Sequence, residues 1–287
     1  MNWFIFSLLS VFTLASAELL QQKLLNGENS FDEKTSSFLT YLVQAVLLLP
    51  LILLISPLDN FFDVFGPTTL PWFAFATVIG TVAAFFYLKS LQVENISVST
   101  IFISFSSVVS TMLGIVFLGE SLYPMKILGI LLVLIAIIFL NITNVKLEKN
   151  SFYGIGAGIL FGTVFTIDKF IVVETDFMIY LFWVVISVSL TSLFFAFKQI
   201  KENLKTKSID KFKPVILSGL GYLLFNLFTY KAYSLGGEVG RVDAINNSQV
   251  FLLVTAEYFI LKNTESPIKK FVSAAIAFTG VFILGTM

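Results

Sequence analysis

The sequence predicts an all-α membrane protein of ten transmembrane helices, built as two inverted five-helix repeats. Three observations carry this expectation. Of the 287 residues, 57% are hydrophobic and only 13% are charged, against the roughly 25% usual in soluble domains. Ten stretches reach the length of about 20 mostly apolar residues that a bilayer crossing needs. Landmarks of the first half recur in the second at offsets of 144 to 146 residues.

The segments run roughly over 2–23, 36–56, 69–91, 96–118, 124–144, 152–172, 177–198, 213–235, 240–261 and 267–287. The first has Ala15-Ser16-Ala17, which looks like a signal-peptide cleavage site. It lacks a basic leader region, and nine further apolar segments follow, so an uncleaved first helix is expected. Turn residues punctuate the connections: Asn26-Gly27, Ser56-Pro57, Gly66-Pro67, Tyr123-Pro124, Gly236-Gly237 and Ser266-Pro267. The longest polar loop, 198–213, holds six lysines. With only short loops between the segments, function is expected inside the helix bundle.

The internal repeat rests on ordered landmarks. Leu88-Lys89-Ser90-Leu91 aligns with Ala232-Tyr233-Ser234-Leu235 at an offset of 144, and Glu94 then falls on Glu238. Lys23 matches Lys169 at 146, and Gly119-Glu120-Ser121 corresponds to Thr264-Glu265-Ser266. Five helices per half is an odd number, so the halves run in opposite directions across the membrane, a common build for secondary transporters. The repeats cover residues 1–147 and 148–287.

The end of the third segment, the fourth segment, Leu118-Gly119-Glu120-Ser121 and the fifth segment with Gly129 resemble the EamA-type repeat of the drug/metabolite transporter superfamily. That repeat typically closes its fourth helix with a Leu-Gly-Glu turn before a Gly-bearing fifth helix. The second half resembles a degenerate copy: it keeps Glu265 and Gly280 but has Asn263-Thr264 in place of the Leu-Gly pair. The resemblance implies a ten-helix carrier for small metabolites, in a family whose substrates are too diverse to carry one over.

Basic residues divide unevenly between the two sides. Fourteen fall in the loops after the odd-numbered segments, while Lys126, Lys169, Lys231 and Arg241 lie on the other side. The positive-inside rule then puts both termini outside, whereas members of the resembled family more often have both inside. Seventeen lysines against one arginine fit an AT-rich genome, hence a bacterial source and an inner-membrane location.

The ninth segment is the leading candidate for a site. Asp243, Asn246, Asn247, Val250, Val254 and Glu257 share one helical face, which lipid would penalise unless it looks into protein or a water-filled cavity. Asp243 and Glu257 lie about 21 Å apart along the helix and cannot share one small ligand. The Asp243 cluster is expected to bind solute, and the competing reading pairs Asp243 with Arg241 or Lys231. Glu257 is expected to pair with Lys262 or to act in coupling or gating.

The eighth segment aligns Ser218, Tyr222, Asn226, Thr229, Tyr230 and Tyr233, with Tyr222, Asn226 and Tyr230 taken as pocket lining. The fourth offers hydroxyls at Ser97, Thr100, Ser104, Ser107 and Thr111. Of these Ser104 joins the candidate site, with close helix packing as the alternative. At an offset of 146, Ser97, Thr100 and Thr111 overlie Asp243, Asn246 and Glu257.

Trp183 is expected at a pocket wall and Tyr180 in an interfacial belt. Asp168-Lys169 is expected at a helix end, pairing with loop charges. Gly154, Gly158 and Gly162 suggest a helix–helix seam. Glu18 and Gln22 share a face, read either as an ordinary interfacial pair or as a coupling carboxylate.

The chain has no cysteine and no histidine, so disulfides, thiol chemistry, catalytic triads and most zinc sites are excluded. No Gly-x-x-x-x-Gly-Lys loop is present for nucleotide hydrolysis, and zero formal net charge gives no reason to expect nucleic acid. No catalytic residue, metal or cofactor is expected. The expected function is secondary-active transport of a small polar or amphipathic metabolite, such as an exported amino acid, by a monomer or homodimer in the bilayer. The rival reading is a non-transport membrane protein, such as a flippase accessory subunit or a scaffold.

Overall fold

The structure, a computed structural model, describes residues 2–26, 31–56, 58–142, 148–206, 212–260, 262 and 266–286, the side chains at 133, 134, 137, 140–142, 281 and 284–286 excepted. Among the described residues every regular element is helical. Twelve α-helices are named in chain order: α1 (Asn2–Asn26), α2 (Glu33–Ile55), α3 (Leu70–Ser90), α4 (Ile96–Ile103), α5 (Phe105–Leu118), α6 (Pro124–Ile142), α7 (Tyr153–Glu174), α8 (Phe177–Thr206), α9 (Phe212–Ser234), α10 (Val239–Asn247), α11 (Gln249–Phe259) and α12 (Pro267–Thr286). Short 3-10 turns stand at Leu58–Asn60, Asp63–Phe65 and Lys149–Phe152. Seven helical stretches among the described residues are long and apolar enough to cross a membrane, the stretch Ile96–Leu118 among them.

Local chemistry sets the ends. Asp32 accepts the Thr35 N–H at 2.7 Å, so α2 starts at Glu33 and not at 36 as the apolar run predicts. Asp176 accepts the N–H groups of Met178 and Ile179 at 3.0 Å each and opens α8. Gly119 takes the left-handed conformation (φ 67°) that a side chain would resist, and the Glu120 N–H reaches back to the Gly114 carbonyl at 3.1 Å. This is the physical content of the Leu-Gly-Glu turn. α8 continues to Thr206, eight residues past the expected end, through a bend at Ala196 (φ −132°, ψ 26°). Lysines there extend the helix beyond its apolar part, which hydropathy does not register.

Two expected single helices are interrupted. The fourth segment breaks at Ser104 into α4 and α5, and the ninth at Ser248 into α10 and α11. At both breaks a tighter i→i+3 bond replaces the helical one: Ser107 N–H to Ser104 O at 3.1 Å, and Phe251 N–H to Ser248 O at 3.1 Å.

Several expected landmarks lie outside the described residues: Gly27, Pro57, Lys146, Lys207, Lys211, Asn263, Thr264 and Glu265.

Packing brings distant segments together. α1 lies along α9, α2 along α8, α3 along α7, and α6 along α12. The Gly154–Gly158–Gly162 ridge is a seam. A methyl added at these positions would come within 2.9 Å of the Ser99 carbonyl, 2.8 Å of the Ile103 carbonyl and 2.7 Å of the Ser106 carbonyl. Glycine therefore lets α7 lie directly on the backbone of α4 and α5. This approach holds the broken fourth segment at the centre of the bundle.

Candidate functional site

A cavity of about 110 Å³ lies where α1, α2, α3, α7, α8 and α9 meet the two broken segments. Its wall includes Ile103 and Ser106, on either side of the Ser104 break, and Asn247 and Gln249, on either side of the Ser248 break. Breaking a helix frees backbone groups, which a bilayer tolerates only where the backbone is buried in protein or lines a cavity.

Glu18, Asp168 and Asp243 all line this cavity and are buried. Glu18 accepts hydrogen bonds from Tyr87 Oη (2.5 Å), Gln249 Nε2 (3.0 Å) and Thr100 Oγ1 (3.2 Å). Tyr87 Oη also lies 3.0 Å from Tyr222 Oη. Asp168 accepts from Tyr180 Oη (2.6 Å) and Tyr230 Oη (2.7 Å). Asp243 accepts from Ser110 Oγ and Asn247 Nδ2, each at 3.0 Å. All of these donors are neutral.

The expected residues of the ninth and eighth segments converge here. Asn246 donates to Thr229 Oγ1 (3.1 Å) and accepts from Ser10 Oγ. Asn247 also contacts Ser106 Oγ (3.0 Å) and Ser107 Oγ (2.9 Å). Asn226 donates to Gln44 Oε1 at 2.8 Å, and Tyr222, Asn226 and Tyr230 stand on the cavity wall. In the fourth segment Thr100, Ser110 and Ser97 donate hydroxyls to carboxylates of other segments, while Ser106 and Ser107 accept from Asn247.

Other expectations need correcting. Asp168 is not at a helix end pairing with loop charges, because α7 runs on for six more residues to Glu174 and keeps it deep in the bundle. Tyr180 is fully buried, not interfacial, since Asp168 takes its hydroxyl. Gln22 does not pair with Glu18: it donates to the Val93 carbonyl at 3.0 Å. Trp183 is not part of the cavity wall: its indole N–H donates to the Phe61 carbonyl at 2.8 Å, and its ring packs on Phe61, Phe62 and Phe65. A half-buried indole needs an acceptor, and the turn after α2 provides one. Ser104 does not line the cavity either. Its hydroxyl donates to the Thr100 carbonyl at 2.9 Å, right at the break.

Glu257 does not pair with Lys262, which is exposed. It forms an ion pair with buried Lys270 at 3.2 Å and accepts the N–H and the hydroxyl of Ser97, each at 2.7 Å. Lys270 also donates to Asn95 Oδ1. The start of α4 is thus tied to α11 and α12. Arg241 lies over the Trp3 ring and Lys231 over the Phe177 ring, so Asp243 keeps its neutral partners.

A related cluster holds the start of α10. Lys126 pairs with Glu238 at 2.9 Å, and the Glu120 carboxylate accepts the Val239 N–H at 2.5 Å. Burial pushes the Glu120 carboxyl above the ordinary value, and the Val239 N–H pulls it back. A carboxylate at a helix N-terminus also meets the positive end of the helix dipole.

Sequence reasoning missed Tyr41, Gln44, Tyr87 and Gln249 on the cavity wall. Gln249 carried a usable signal, as an amide in the middle of an apolar run. Tyr41 and Gln44 share one helical face with Ser37 and Thr40, also a usable signal; Tyr87 sits singly in an apolar helix and carried none.

Residues 1–142 match the model of the EamA-like transporter family. A protein of known crystal structure superposes with a TM-score of 0.63 over 96% of this chain and 95% of its own, at 14% identity, a likeness of fold alone. No curated protein matches the chain. The first half of the chain thus matches the EamA-like transporter family, and with its run of membrane-length apolar helices the chain has the build of a multi-pass membrane transporter.

Proposed function

We propose that the protein is a secondary-active exporter that moves a small polar or amphipathic metabolite across the cell membrane by alternating access. The observation that carries this reading is the buried cavity bounded by two interrupted helices. Their breaks, Ser104 and Ser248, stand 144 residues apart, the offset that also relates Leu88–Leu91 to Ala232–Leu235. Interrupted helices at corresponding positions in two halves point to a transport site.

Packing supports the same reading. Exchanging each segment for the one five later turns the α1–α9 contact into α7–α3 and returns α2–α8 and α6–α12 to themselves. This favours ten crossings arranged as inverted repeats over residues 1–147 and 148–287; the bacterial inner membrane is the location this reading assumes. In this reading Tyr222, Asn226, Tyr230, Asp243, Asn246 and Asn247 contact the solute. Glu18 is the coupling carboxylate, Glu257 acts at a gate outside the cavity, and Ser104 acts through the break.

A metabolite comparison of cells with and without the protein identifies the solute, and proteoliposomes then measure its flux. Asn226→Ala and Asp243→Asn are expected to abolish flux while leaving membrane expression unchanged. Normal flux through both variants overturns the site. A wild-type protein that moves no solute in proteoliposomes favours the scaffold or accessory reading.

A further inference from the structure

The cavity buries acidic groups and, among the described residues, offers them no cation. Glu18, Asp168 and Asp243 are each at most 2% exposed. Among the described residues that line the cavity there is no lysine or arginine. Nearby basic groups are engaged elsewhere: Lys270 with Glu257, Lys126 with Glu238, and Lys169 with the Tyr233 carbonyl at 2.7 Å. A carboxylate removed from water without a countercharge is heavily penalised. An anionic solute would add to that penalty, and the carboxylate of a zwitterion would find no basic partner on the wall.

A second observation concerns hydrogen bonds. Gln249 is 1% exposed, and its amide nitrogen is committed to Glu18, an acceptor. Gln249 lines the cavity, and among the described residues its Oε1 has no donor. Thr40, 3% exposed and on the same wall, likewise has an unpartnered hydroxyl. Buried acceptors of this kind are costly unless something supplies them with an N–H or O–H. Around them stand the rings of Tyr41, Phe161, Phe165 and Phe225, faces that attract a cation or cover an apolar body.

We propose that the solute is a protonated amine with a compact apolar or aromatic body, its ammonium lying beside Glu18 and donating an N–H to Gln249 Oε1, in a cavity whose negative field Asp168 and Asp243 reinforce. The inference rests on reading this cavity as the transport site. It also distinguishes amines: a quaternary ammonium carries the charge but has no N–H for Gln249.

The test uses the purified full chain and four probes of one body size: 2-phenylethylamine, its N,N,N-trimethyl derivative, phenylalanine and 3-phenylpropionate. Binding is read by calorimetry and by thermal stabilisation. The primary amine is expected to bind, the trimethyl derivative to bind roughly tenfold more weakly, and the carboxylate not to bind. Glu18→Gln is expected to weaken the amine by about tenfold or more, the scale of a lost charge-assisted hydrogen bond. Gln249→Met is expected to erase the preference for the primary over the trimethyl amine. Should Glu18→Gln fail to fold, Asp168→Asn and Gln249→Met carry the test.

Tighter binding of phenylalanine or 3-phenylpropionate than of the amine overturns the proposal. So does the absence of amine binding, or amine affinity unchanged in the variants. Flux in proteoliposomes separates the two readings. Amine binding without flux overturns the transport reading and sustains the cation site. Flux of an acidic or zwitterionic solute sustains transport and overturns the cation site.

Discussion

Glu257 and Glu18 are equally buried, yet one faces a lysine and the other only hydroxyls and an amide. The contrast extends across the molecule. Where half-helices begin, acidic groups meet buried lysines: Lys270 with Glu257 at α4, and Lys126 with Glu238 at α10. These two lysines are themselves 144 residues apart. In the cavity, the donors to the three acids are all neutral among the described residues. Charge is compensated where helix ends are fastened and left uncompensated where a solute would bind. A paired charge fixes geometry, whereas an unpaired one stores a preference for an incoming cation.

The largest expected effect comes from breaking a compensated pair. Lys270→Met leaves Glu257 buried without its cation, which typically costs about 3–5 kcal/mol. Thermal unfolding in detergent should show a large fall in Tm, with most of it restored in the Glu257→Gln/Lys270→Met double variant. A Lys270→Met protein that melts like wild type would collapse the distinction between the two regions.

A smaller loss is expected at the seam that positions both regions. Gly158→Val forces a side chain against the Ile103 carbonyl, 2.8 Å from an added methyl. Overpacking of this kind costs about 1–3 kcal/mol. The same melting assay checks it, and solute affinity should fall along with stability because α4 and α5 shift.

Asp168→Asn should separate stability from binding. Its partners are two tyrosine hydroxyls, one on each carboxylate oxygen; the amide oxygen keeps one, and the other hydroxyl can turn to accept from the amide N–H, so the stability change should stay near the roughly 0.6 kcal/mol typical of polar contacts in membranes. Affinity for the amine should nevertheless fall several-fold, less than in Glu18→Gln, which calorimetry would show. Mildest of all is Trp183→Phe. It removes the hydrogen bond to the Phe61 carbonyl, again worth about 0.6 kcal/mol, and should leave solute affinity unchanged, because the residue lies outside the cavity.

Much of this was legible in the sequence. The helices fall on the apolar stretches, the glycine ridge is a seam, and the polar stripes around Asp243 and Tyr222 face one cavity. Asp168 was misread because hydropathy ends α7 at 172, near the aspartate, while hydrogen bonding carries the helix on to Glu174. The breaks at Ser104 and Ser248 were invisible because serine is compatible with both a continuous and an interrupted helix. The choice of Lys270 over Lys262 as the partner of Glu257 was invisible for another reason. Closeness in sequence favours Lys262, but the partner sits on α12, thirteen residues on and across a turn.

What the sequence determined by itself follows from costs that each residue meets locally: the penalty for exposing backbone to lipid, the periodicity of a helix, and the caps that end one. These set where helices form and which faces are polar. Only the tertiary structure decided which polar face meets which. Glu18 finds Gln249 across 231 residues and Glu257 finds Ser97 across 160. Such pairings depend on how the helices pack as a whole, and burial then makes a carboxylate's choice between a lysine and a hydroxyl decisive.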